Sequence, residues 1–148
     1  MIPDFVNIDA SWRVLPPGLH ESPLEEIKER YAYNETRKHL YDGLVKACEA
    51  LRKAGCKDVY LDGSYVTEKP KPGDFDACWD PTGVDPSLLD PVFLDFSEQR
   101  KKQKLKFGGE LFPSGARADG LHTFIEFFKI DKETGNEKGI IHIQLYPD

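Results

Sequence analysis

Nowhere in this chain do eighteen apolar residues occur in succession, and its opening, MIPDFVNIDASWRVLPPG, has no basic stretch followed by an apolar core. A membrane-spanning helix and a Sec-type leader are therefore not expected, and the expected setting is the cytoplasm without membrane contact. Cysteine is scarce and odd in number: Cys48, Cys56 and Cys78 form no CxxC pair. That excludes a disulfide framework, gives a structural zinc no support, and fits a reducing compartment. An excess of positive charge is also missing. The net charge is −6, which argues against a protein that coats nucleic acid by charge alone. There is no internal repeat and no low-complexity tract.

What remains is 148 residues, 39% of them apolar, enough for a single domain over residues 1–148 with a real core. Pro16-Pro17-Gly18 forbids a regular helix near the start, so residues 1–21 are expected to be a loop or strap. Ser22-Pro23-Leu24-Glu25 reads as a helix start, leading to a short helix through about Tyr31. Asn34 caps a second helix, in which Leu40, Leu44, Ala47, Cys48, Leu51 and Ala54 recur at helical spacing and Gly55 ends the run. Asp58–Asp62 and Phe75–Trp79 read as short strands, and Ser97 to about Phe107 is helix-compatible, with Gly108-Gly109 as its stop. Two closing strands are expected at His122–Ile130 and Gly139–Leu145, joined by a hairpin turn around Thr134-Gly135-Asn136. The order predicts an α+β fold: a mixed or antiparallel β-sheet with helices packed on one face.

The chemistry concentrates in LDGSYVTEKPKPGDFDACWD, residues 61–80. Gly63-Ser64 follows an apolar strand and suits a tight turn that presents backbone N–H groups and a hydroxyl to an anion. After nine intervening residues, Asp74 and Asp76 flank Phe75. In a strand, residues two apart share a side, so the carboxylates converge while Phe75 enters the core. Paired carboxylates repel unless a cation or proton lies between them, and Mg²⁺, or Mn²⁺, takes hard oxygen ligands shared with substrate phosphates. In-line nucleotidyl transfer from a nucleoside triphosphate is the chemistry such an arrangement serves.

A third carboxylate is expected. Glu126, amid Phe124, Ile125, Phe127 and Phe128, is the first choice, with Asp95 as the alternative. Lys69 and Lys71, in the spacer, are candidates to neutralise triphosphate charge. The basic run RKKQKLK at 100–106 reads as a solvated helix face or a phosphate contact, and Arg117 as a loop arginine or a phosphate contact. Tyr65 and Trp79 are either core residues or base-stacking platforms, and His122 and His142 are read as structural or surface residues.

Gly63-Ser64, the spacer and Asp74-Phe75-Asp76 resemble the signature of the polymerase-beta-like nucleotidyltransferase superfamily. Leu61 lies one place farther back than the apolar residue of its commonest form. More narrowly, LPPGLH, LDGSYVTEKPKPGDFD, KFGGELFP, FIEFFK and KGIIHIQL resemble a small bacterial and phage family of stand-alone domains of this kind. The resemblance implies a minimal nucleotidyltransferase-like fold, metal binding by Asp74 and Asp76, phosphate binding at Gly63-Ser64, and a third acid from a later strand, a role carried onto Glu126. It implies transfer of NMP to a hydroxyl on an RNA end, a protein side chain or a small molecule. It also leaves open a partner protein or homo-oligomer, and makes toxin–antitoxin or phage-defence systems an eligible context. Two further readings stand beside it: a non-catalytic nucleotide sensor or partner subunit, and a structural interaction module.

Overall fold

The computed structural model describes residues 2–116 and 123–145. Among these residues, besides short 3-10 turns at Ser64–Val66 and Pro91–Leu94, the α-helices and strands in chain order are β1 (Gly18–Glu21), α1 (Leu24–Tyr31), α2 (Glu35–Lys53), β2 (Asp58–Asp62), β3 (Phe75–Trp79), α3 (Ser97–Phe107), β4 (Gly109–Pro113), α4 (Phe124–Phe128) and β5 (Gly139–Gln144). The strands form a mixed sheet in the order β1-β5-β2-β3-β4. β2 is antiparallel to both of its neighbours, while the outer pairs β1–β5 and β3–β4 are parallel. The fold is α+β, as the element order implied.

Alternation along the strands gives the sheet two unlike faces. Val59, Leu61, Phe75, Ala77, Trp79, Leu111, Ile141 and Ile143 are buried with the apolar sides of α1 and α2 in the main core. Asn34 caps α2 by accepting from the Arg37 N–H at 2.8 Å. Gly43 is where α2 meets the end of α3: a Cβ there would lie 1.6 Å from the Phe107 carbonyl oxygen, so a larger residue would push the helices apart. The opposite face carries Asp62, Asp76, Cys78, Glu110, Phe112 and His142. Part of it is covered by a second, smaller cluster in which Cys78, Ile140 and Phe128 are buried, with Phe112, Phe124 and Ile125 packed against them. All three cysteines are free and buried.

Four local expectations are corrected. Residues 1–21 are not all loop, because Gly18–Glu21 forms β1 and pairs with Gly139–His142. Ser22 does not cap α1; Pro23 holds that position, and the Ser22 hydroxyl donates to the Pro23 carbonyl at 3.0 Å. Gly108-Gly109 stops α3, but Gly109 also begins a strand the sequence reading passed over. Finally, no strand runs through Phe124–Phe128. That segment is α4, and its Phe124 and Phe128 rings meet edge to face at 6.1 Å, as a spacing of four on a helix allows. The turn around Gly135 is present, bracketed by an Ile130–Glu137 bridge.

Candidate functional site

The site follows from strand register. Asp62 on β2 lies opposite Asp76 on β3, and Asp76 lies opposite Glu110 on β4, so the three carboxylates form a row across the open face. Asp74, two residues before Asp76, lines the same cavity as Asp76 and Glu110. Gly63 sits directly against this row: it adopts φ +84°, and a Cβ there would lie 2.6 Å from Asp76 Oδ2. Only glycine lets the turn at the end of β2 approach the Asp76 carboxylate so closely.

Burial chiefly, then repulsion from Asp74, Asp62 and Glu110, pushes the Asp76 carboxyl up to about 7. Burial and Glu110 raise Asp74 as well, although Lys104, Lys69 and Arg100 oppose the effect. Burial raises Asp62 despite its ion pair with Lys138 Nζ at 3.2 Å. Glu110 is held by Lys104 Nζ at 2.9 Å and Arg100 at 3.3 Å. Arg100 belongs to a left-handed stretch, Glu98–Arg100, that opens α3 with φ values of +50° to +63°. Such backbone costs non-glycine residues about 1–2 kcal/mol each. Strain is thus concentrated where a guanidinium reaches the acid row.

Asp76 stands between two cavities. One, of about 260 Å³, is lined by Trp12, Asp62, Gly63, Ser64, Thr67 and Lys138 among others. The second, of about 450 Å³, is lined by Asp74, Arg100, Glu110, Phe112 and Phe124. Asp76, Phe128 and Lys132 border both.

The residues singled out in the sequence divide clearly. Gly63, Ser64, Asp74 and Asp76 come together, and Lys69 is near enough for its charge to act on Asp74. Lys71 is exposed and is not brought to the acids by any described ion pair. Glu126 does not join the row. It lies on α4 in a capping box, accepting from the Thr123 N–H at 2.9 Å and the Thr123 hydroxyl at 3.0 Å. Asp95 accepts from the Ser97 N–H and hydroxyl and pairs with Lys102 at 3.3 Å. Those bonds, led by the Ser97 hydroxyl, hold its carboxyl below the usual range.

The basic run on α3 splits in two. Arg100 and Lys104 face Glu110, whereas Lys101, Lys102 and Lys106 pair with Glu98, Asp95 and Asp90. Tyr65 and Trp79 are buried in the main core, so neither ring is presented to a ligand. His142 stacks on Tyr60 and lies 2.7 Å from Asp58. Arg117 and His122 lie outside the described residues.

Three site residues escaped the sequence reading. Glu110 was signalled by the alternation Glu110-Leu111-Phe112 after a glycine, Lys138 only by its place before β5, and Trp12 by its isolation in a polar segment. Among the described residues, no group of three or more His, Cys, Asp or Glu side chains stands ready to hold a metal ion. Of the acids in the row, Asp62 is engaged by Lys138 and Glu110 by Lys104 and Arg100.

Residues 6–144 match a family model described as "Family of unknown function (DUF6932)", and the chain belongs to that family. No curated protein and no solved structure matches the chain.

Proposed function

Taking that family as the starting point, we propose that the chain is a Mg²⁺-dependent nucleotidyltransferase, transferring NMP from a nucleoside triphosphate to a hydroxyl acceptor. The observation that carries this reading is the meeting of the Gly63-Ser64 turn with Asp76 in a row of acids between two cavities. In the balanced reaction, the acceptor oxygen forms a bond to the α-phosphorus, the bond from that phosphorus to the β-phosphate bridging oxygen breaks, and pyrophosphate and the acceptor proton leave.

Asp74 and Asp76 would hold the ion, with Glu110 as the third carboxylate in the role first given to Glu126 and Asp95. The donor chemistry fits: Asp74 and Asp76 are hard oxygen donors whose mutual repulsion and burial a cation would offset. Glu110 would turn from Lys104 and Arg100, freeing two cations for phosphate oxygens. Mg²⁺, when bound, supplies charge neutralisation and activation of the acceptor hydroxyl. The Ser64 hydroxyl and Lys138 border the cavity on the Gly63 side, where they suit the triphosphate. The cavity beyond Asp74 and Glu110 is left for the acceptor: an RNA end, a protein side chain or a small molecule. Its phenylalanines favour an acceptor with an apolar or planar part next to its hydroxyl.

The ion pairs that already neutralise Asp62 and Glu110 favour a second reading, a nucleotide sensor that binds without transfer. Release of labelled pyrophosphate from each of the four NTPs, with Mg²⁺ and pooled RNA, protein and small-alcohol acceptors, separates the two. Release lost in the Asp74→Ala/Asp76→Ala protein supports the transferase. Tight NTP binding with release no greater than in that protein supports the sensor.

A further inference from the structure

Residues 2–16 form a strap closed on itself by the Val6–Val14 bridge: Ile2 and Leu15 sink into the main core, Phe5 packs on Tyr31 of α1, and Ala10, Trp12 and Val14 reach the cavity beside Gly63. Its middle is tied to two different loops. Ser11 donates its N–H and hydroxyl to Glu133, both at 2.9 Å, and the Ile8 carbonyl accepts from Asn136 at 3.4 Å. On the other side, Arg13 forms a two-pronged pair with Glu68 at 2.5 and 2.6 Å and its carbonyl accepts from the Glu68 N–H at 3.1 Å. Trp12 lies between these anchors. Its neighbours are fixed to the loop after α4 and to the loop after the Gly63-Ser64 turn, so the indole is held over the cavity those loops share.

That indole is unusual in its surroundings. It is 44% exposed, has no ring partner among the described residues, and borders the cavity that also contains Gly63, Ser64 and Asp76. The same cavity has apolar lining from Val14, Phe128 and Ile130, and polar lining from Asp62, Ser64 and Lys138. At about 260 Å³ it falls just below the ~300–1,000 Å³ range of small-molecule sites, a size for part of a nucleotide. A large exposed aromatic at the mouth of a half-polar cavity suits a ligand with a planar ring joined to an anionic tail.

We propose that Trp12 is the base-stacking platform of this site: a nucleobase lies against its indole, and the attached phosphates run toward Gly63-Ser64 and Asp76. This rests on the nucleotidyltransferase reading for the identity of the ligand, and adds where its base is held. Stacking on an exposed indole tolerates every base, so discrimination should fall between nucleotide and bare polyphosphate more than among the four bases.

The test is calorimetric titration of wild type, Trp12→Ala and Trp12→Phe with each NTP and with inorganic tripolyphosphate, all with Mg²⁺ and no acceptor. Trp12→Ala should weaken NTP binding about 5- to 150-fold, the range base–aromatic stacking supplies. Tripolyphosphate affinity should change less than about twofold, and Trp12→Phe should keep most of the NTP affinity. Unchanged NTP binding in Trp12→Ala would place the base elsewhere and overturn the proposal while leaving the transferase reading intact. Equal losses for NTP and tripolyphosphate would overturn it too, marking Trp12 as a support for the strap. A wild type that binds neither ligand would sink both readings together.

Discussion

The two faces of one sheet behave as two different molecules. Toward the helices, β2 and β3 present Val59, Leu61, Ala77 and Trp79, all essentially inaccessible to solvent. On the other side the same strands present Asp62 and Asp76, a buried and a half-buried carboxylate whose ionisation the surroundings resist. The first face stabilises the fold by removing apolar area from water. The second costs stability, because it gathers like charges where solvent is limited. Alternating strand geometry lets a single five-residue segment serve both ends, and the costly face is the one to which the proposed function is assigned.

The sharpest way to break this comparison is to exchange its terms. Truncating the helix-facing side should be severe: Trp79→Ala is expected to cost about 3–5 kcal/mol in urea unfolding, in the range for large aromatic core residues. On the acid face the sign should reverse. The folded state raises the Asp76 carboxyl from its ordinary 3.8 to about 7, so the folded chain binds its proton more tightly than the unfolded one. Below about pH 4 the group is protonated in both states and exerts no penalty. Between about pH 4 and 7 stability falls with rising pH, and above that the loss is complete. Asp76→Asn should therefore stabilise the metal-free protein at pH 8 by roughly 1–3 kcal/mol and flatten its pH 4–7 slope. A less stable Asp76→Asn protein at pH 8 would end the idea that this face is costly.

Magnesium sharpens the same point. It should raise the melting temperature of the wild type at pH 8 and leave Asp76→Asn unchanged, and chelation should reverse the rise. Within the face, Glu110→Gln should lower pyrophosphate release about 10²–10⁴-fold, while Glu126→Ala leaves it within about threefold. The smallest effect belongs to that second variant, whose loss of the capping box should cost about 0.5–1 kcal/mol in thermal unfolding. Equal kinetic losses at positions 110 and 126 would remove the reason for preferring the register-matched acid.

Much of this was legible in the residues. Asn34, the apolar spacing from Leu40 to Ala54 and Gly55 define α2 in sequence terms, and the structure places its ends within a residue or two of those signals. The strand around Asp74-Phe75-Asp76 was equally plain, with Phe75 turned into the core and Asp76 away from it. Two short segments were misread for identifiable reasons. Phe124–Phe128 is rich in residues that favour strands, but Thr123 and Glu126 cap it as a helix and Phe124 and Phe128 fall on one helical side. Gly108-Gly109 marked a helix stop so strongly that the strand beginning at Gly109, and Glu110 with it, went unnoticed.

By itself, then, the sequence determined α1, α2 and α3, the central strands, the turn at Gly63 and the pairing of Asp74 with Asp76. Those features depend on residues a few positions apart, where side-chain periodicity and capping act. Only the tertiary structure decided that Glu110 lines up with Asp76, that Lys138 reaches Asp62, and that Trp12 is carried to the cavity beside Gly63. Each of those meetings joins segments more than thirty residues apart in the chain. Strand register and a strap tied between two loops create them, and both are set by packing across the whole domain.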